Sequence, residues 1–145
     1  MKKFGVNIDH VATVRNARGE GHPDIIEIAH AVKNSGASSI TIHLREDRRH
    51  IKDSDLKKLC KMNFLINLEI AANMKMVKLA IKNKPKFVCL VPEKRNEITT
   101  EGGLDLNKNF NIIKKIITKL NNKKIRTSLF IDPSIKNIIL SKKIG

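Results

Sequence analysis

The chain has 145 residues, 41% of them hydrophobic and 30% charged, the composition of one ordinary globular domain. Lys and Arg number 29 against 14 Asp and Glu, a formal charge of +15, but the lysines are spread along the chain and aromatics make up only 3%. That pattern argues against a base-stacking nucleic-acid module and reads as solvated helix faces whose diffuse positive field attracts anionic substrates. Cys60 and Cys89 are the only cysteines, too few for a disulfide scaffold or a cysteine metal motif, and fit a reduced cytoplasmic setting. No run reaches the roughly 18 apolar residues that a membrane helix needs, so no membrane partner is expected.

In chain order, the first apolar run is 4–8, of strand length. Residues 11–21 follow as a polar, basic loop with Arg15, Arg18, Gly19 and Gly21. Ile25, Ile28, Ala29 and Val32 recur at helical spacing within 23–33, with Pro23 suited to the first turn and Gly36 to the stop. A second strand is expected at 39–44 and a short helix at 54–62, with Asp53 as N-cap. Strand 65–70, helix 73–83 and strand 87–91 come next, then a long polar loop, 92–105. Phe110, Ile113, Ile116, Ile117 and Leu120 form one stripe of a helix at 106–120. Strand 127–131 and helix 134–143 end the chain. Most of the strand runs begin without polar alternation, as expected of strands buried on both faces.

Five strands alternating with five helices imply a parallel α/β sheet with right-handed crossovers. An open dinucleotide-binding sheet would carry G-x-G-x-x-G after the first strand; residues 10–21 carry a basic loop instead. The expected architecture is a (β/α)8 TIM barrel. A full barrel needs roughly 250 residues, so 145 residues read as a barrel truncated after about five βα units.

Each strand runs into polar residues: Asn7, Asp9 and His10; His43 and Arg45; Asn67 and Glu69; Glu93; Asp132. Burying such groups is unfavourable unless they are paired or used, and the C-terminal strand ends of a barrel form its active-site face. Side chains alternate along a strand, so Asn7 with Asp9, Thr41 with His43 and Arg45, and Asn67 with Glu69 share faces. Turned inward, these groups can bind phosphate or hydroxyls and move protons. Arg45, Arg48 and Arg49 also read as a solvated turn, and His30 as a structural helix residue. Glycines beside hydroxyls in loops 11–21 and 92–105 suit a phosphate cradle, though neither matches a Walker A loop. A metal-dependent hydrolase using His10, His43, Asp9 and Glu69 lacks any HxH or HExxH spacing.

At these residues the chain resembles the pyridoxine 5′-phosphate synthase family. The resemblance rests on GVNIDHVATVRNARG, ITIHLREDRRHI, NLEIA, LVPEKRNEITTEGGLD and SLFID, in family order and spanning essentially the whole chain. It implies condensation of 1-deoxy-D-xylulose 5-phosphate with 3-amino-2-oxopropyl phosphate to give pyridoxine 5′-phosphate, phosphate and water. It also implies no metal or organic cofactor, and a homo-oligomer at full length. By motif, His43 and Glu69 match general acid/base residues. Asn7 and Arg18 match contacts to the amino-oxopropyl phosphate, and Asp9, His10, Arg45, His50 and Thr99 match contacts to the deoxyxylulose phosphate. The resemblance further implies that residues 1–145 are the N-terminal portion of the barrel, with strands six to eight absent. In the family, a second catalytic His, a charge-stabilising Glu and phosphate-binding turns lie beyond this chain. A truncated, inactive remnant of the enzyme is therefore the alternative expectation.

Overall fold

A computed structural model describes residues 3–93 and 102–145. The elements run β1 (Gly5–Asn7), α1 (Asp9–Arg18), α2 (Ile25–Asn34), β2 (Ser39–His43), α3 (Asp53–Leu59), β3 (Ile66–Ala71), α4 (Met74–Asn83), β4 (Phe87–Val91), α5 (Phe110–Asn121), β5 (Arg126–Leu129) and α6 (Ile135–Ile144). All five strands lie parallel in one sheet in the order β1-β2-β3-β4-β5. Strand order equal to chain order is the order of a (β/α)8 barrel; a doubly wound sheet reverses direction at a switch point. The fold is α/β, as the alternation implied. Among the described residues, β1 and β5 each have one strand neighbour.

Alternation along the strands separates two environments. Ile40, Ile42, Leu68, Ile70, Val88 and Leu90 are buried in one cluster with Ile25 and Ala29 of α2, Leu56 and Leu59 of α3, Met76, Val77 and Ala80 of α4, and Ile113 and Ile116 of α5. Thr41, Asn67, Glu69 and Cys89 occupy the other face and are half-buried. The strands are therefore not covered equally on both sides, which corrects the two-sided burial expected from their apolar starts. Helices shield one face; a sheet of five strands does not enclose the other.

The local signals act as expected at most element ends. Asp24 caps α2, accepting the Ile26 and Glu27 N–H groups at 2.7 and 3.0 Å, and Asn73 caps α4 through the Met76 N–H at 3.0 Å. At α3, Asp53 is the first helical residue rather than the cap, and Asp55 accepts the Lys52 N–H at 2.9 Å.

The main departure is α1. Residues 11–21 are not a loop: Asp9–Arg18 is a helix, closed by Gly19 in the left-handed region at φ 71°. Its inner stripe is Val11, Ala12 and Arg15. Two small apolar residues and an arginine stem give little periodic signal, because the arginine is buried only through its partner on α3. The phosphate cradle expected of this stretch is replaced by a helix C-terminus.

Candidate active site

The sheet register assembles the site. Asn7 pairs with Thr41 and Thr41 with Asn67, so these three share one level of the half-buried face. His43 pairs with Glu69 and Glu69 with Cys89, one level nearer the C-terminal ends of the strands. Asn67 Nδ2 donates to Thr41 Oγ1 at 3.3 Å in the lower level. His43 and Glu69 therefore lie on the same side of the sheet, as strand alternation required.

His43 is held between two carboxylates. Its Nδ1 is 4.0 Å from Glu69 Oε2, and its Nε2 is 3.5 Å from Glu93 Oε2, with the His43 and Glu93 side chains almost fully buried. Neither His43 Nε2 nor Glu93 Oε2 has a formed hydrogen bond, so two buried polar atoms face each other unsatisfied. At 3.5 Å the two atoms are placed to hydrogen-bond to each other when either carries a proton. Burial pushes the Glu69 carboxyl above its ordinary value and Asp9 adds to the rise, while His43 opposes it. Burial also pushes Glu93 upward, but His43, the Glu46 N–H at 2.8 Å and the Arg45 charge outweigh it and hold Glu93 low. The two carboxyls flanking one imidazole are thus driven in opposite directions, the separation that acid–base chemistry uses.

Asp9 ties the remaining groups together. It accepts the Asn7 side-chain amide at 2.9 Å and the His43 backbone N–H at 2.8 Å, while Asn7 Oδ1 accepts the Asp9 N–H at 2.9 Å. His50 Nδ1 lies 3.9 Å from the same Asp9 oxygen, and the His43 and His50 rings are 5.9 Å apart. Arg45 is buried and reaches Asp47 at 3.3 Å and Glu93 at 3.9 Å. Asp47 also accepts Arg49 at 2.7 Å, and the two arginines outweigh its partial burial and lower its carboxyl to about 2. Arg45 is therefore no part of a solvated turn; Arg48 pairs with Asp53 at 2.8 Å and donates to the Arg45 carbonyl. A cleft of about 230 Å³ opens beside this cluster, lined by Glu46, Asp47, Lys75 and Glu93.

Of the residues singled out in the sequence, Asn7, Asp9, His43, Arg45, His50 and Glu69 form this one network. His10 and Arg18 do not join it. The strand has ended before His10, which is exposed on α1 and lies 3.4 Å from Thr13 Oγ1. Arg18 ends the same helix, exposed and paired with Glu20 at 3.2 Å. Thr99 lies outside the described residues. Glu93 belongs to the site, although the sequence marked it only as a polar strand end. Its signal was position: it follows β4 as His43 closes β2, at the same end of the sheet. Among the described residues, no three of His, Cys, Asp and Glu are placed to hold one metal ion, and no helix is long and apolar enough to cross a membrane.

A family model described as pyridoxal phosphate biosynthesis protein PdxJ matches residues 4–145. The chain is 61% identical to the pyridoxine 5′-phosphate synthase of Pelagibacter ubique, an overlap covering 100% of this chain and 61% of the relative. It is 53% identical to the protein of the same name from Ehrlichia ruminantium (98% of this chain, 60% of the relative) and 54% identical to that of Blochmanniella pennsylvanica (98% and 59%). The chain thus spans about 60% of the length of the curated relatives it matches.

Proposed function

The chain belongs to the PdxJ family of pyridoxal phosphate biosynthesis proteins, and from that premise we propose that it carries the acid–base half of a pyridoxine 5′-phosphate synthase site. The substrates in this reading are 1-deoxy-D-xylulose 5-phosphate and 3-amino-2-oxopropyl phosphate. The observation that carries it is the His43 imidazole set between Glu69 and Glu93 at 4.0 and 3.5 Å.

Joining the amino ketone phosphate to the second carbonyl substrate requires carbonyl addition, loss of water and of one phosphate, and repeated proton transfer. Each step needs a base that accepts a proton and an acid that returns one. A Glu69 carboxyl raised by burial keeps its proton at a higher pH than an exposed glutamate, which suits it to protonate a departing hydroxyl. His43 exchanges protons with the substrate, and the low carboxyl of Glu93 steadies the ring when it is charged. The net positive charge of the chain draws phosphorylated substrates toward it.

The decisive assay supplies both phosphorylated substrates and measures pyridoxine 5′-phosphate. His43→Asn and Glu69→Gln should each lower kcat by roughly 10²–10⁴-fold, the usual worth of a positioned proton-transfer group. A variant that kept wild-type kcat would remove its residue from the chemistry. A second reading is favoured by the half-buried inner face of the described sheet: residues 1–145 retain the motifs without turnover. Product formation by this chain alone would reject that reading; a folded chain that makes none would support it.

A further inference from the structure

His50 sits in the turn between β2 and α3, where no regular element fixes its side chain. Turns are ordinarily the least constrained parts of a fold. This one is gripped from two helices. Arg15 of α1 meets Asp55 of α3 in a double ion pair, Nη1 to Oδ1 and Nη2 to Oδ2, both 2.9 Å. The two side chains are 10% and 8% exposed. Arg15 Nη2 also donates to the His50 carbonyl at 3.4 Å. Asn16 Nδ2 donates to that carbonyl at 2.9 Å and to the Arg49 carbonyl at 3.1 Å. The amide is itself aimed, because Asn16 Oδ1 accepts Arg15 Nε and Nη2 at 3.2 and 3.1 Å. Past His50, Asp55 takes the Lys52 N–H at 2.9 Å.

The held backbone dictates the state of the ring. The Ile51 N–H donates to His50 Nδ1 at 2.9 Å. A ring nitrogen that accepts a hydrogen bond carries no proton, so the neutral imidazole bears its hydrogen on Nε2. Protonation at Nδ1 would exchange the Ile51 bond for Asp9, 3.9 Å away. The charged and titratable groups around the ring are Asp9 of α1, His43 of β2, and Arg45 and Asp47 of the same turn. Burial, His43 and Arg45 favour the neutral ring, while Asp9 and Asp47 oppose them; the balance lowers the His50 value.

We propose that Arg15 and Asn16 are positioning residues that clamp the 49–52 turn so that His50 is presented beside His43 as a neutral Nε2–H donor. A neutral donor binds a hydroxyl or phosphate oxygen without competing for the proton that His43 handles. The meaning of this for turnover rests on the synthase reading above; the state of the ring does not.

Two measurements separate these levels. Long-range proton–nitrogen NMR of the imidazole groups in residues 1–145 should show His50 in the Nε2–H form, titrating below free histidine. Asn16→Asp keeps size but removes the donor to the two carbonyls, and should mix the tautomers and move the titration upward. Asn16→Gln restores an amide and should recover much of the wild-type spectrum. Circular dichroism should match wild type in both variants. A wild-type His50 with mixed tautomers, or an Asn16→Asp spectrum unchanged at His50 in a folded protein, would overturn the clamp. In turnover, Asn16→Asp should raise the KM of a phosphorylated substrate roughly tenfold, with kcat altered less than about threefold. An equal loss in kcat would place Asn16 in the chemical step and overturn the positioning role. A wild-type chain without turnover but with the expected spectra would reject the synthase reading for this chain and leave the clamp standing.

Discussion

The Asp9 carboxylate accepts the backbone N–H of His43 at 2.8 Å, joining the first turn of α1 to the last residue of β2. Its other oxygen holds the Asn7 amide at 2.9 Å. One buried side chain thus sets the height of the imidazole above the sheet. Asp9→Ala would leave these two donors without their acceptor, a loss of about 1–3 kcal/mol of stability by urea unfolding. It should also broaden or shift the His43 ring resonances, and unchanged His43 signals would show that the sheet alone fixes the residue.

Glu69 gives a pH test with a definite sign. Its folded value is raised above the ordinary 4.5, so the native protein binds this proton more tightly than the unfolded chain. Stability from this group is complete below about pH 4.5 and is lost as pH rises through the folded value. Glu69→Gln cannot ionise and escapes that loss. The variant should melt above wild type at pH 7 to 8, and the gap should narrow on acidification to pH 4. A gap independent of pH would mean that the carboxyl is not strained by burial.

Gly103 marks a close crossing of two backbones. A Cβ there would sit 2.2 Å from the Asp132 nitrogen and 2.6 Å from the Ile131 carbonyl carbon. The contact is backbone on both sides, so no rotamer can relieve it. The Gly103 N–H donates to Asp132 Oδ1 at 2.8 Å and the Leu104 N–H to the Phe130 carbonyl at 2.8 Å, binding this strap to the end of β5. Gly103→Ala should destabilise the fold by about 1–3 kcal/mol, as overpacking does. Hydrogen exchange at Leu104 should accelerate with it.

The cysteines are expected to be quiet. Burial alone pushes the Cys60 thiol up to about 11, from an ordinary 9.0. The thiolate is the reacting form, so at pH 8 its population falls roughly a hundredfold below that of a free cysteine. Alkylation of native Cys60 by iodoacetamide should be slow by a similar factor and should recover in denaturant. Rapid native labelling would show that the thiol is solvated.

The strands were legible in the sequence to within one or two residues, because each is a short run of β-branched and apolar residues between polar turns. Most helices were legible from apolar residues at helical spacing: Ile113, Ile116, Ile117 and Leu120 mark α5, although it begins at Phe110 and not at residue 106. Helix α1 was not, since its buried stripe ends in Arg15, whose burial depends on Asp55, 40 residues away. The half of the site built from a single strand face could be foreseen: Thr41 with His43, Asn67 with Glu69. The place of Glu93 beside His43 could not, because it depends on a contact between residues 50 apart in the chain that no strand register sets. Nor could the burial of Arg45, which needs Asp47 and Glu93 as partners.

The strand order β1-β2-β3-β4-β5 carries a last consequence. Among the described residues, each strand from β2 to β5 pairs with the strand made just before it, so these four pairings need no distant segment. On the ribosome such a chain can grow its core vectorially, each βα unit docking on the one already outside the exit tunnel. Short-range pairing of this kind shortens the interval in which nascent strand edges stay bare.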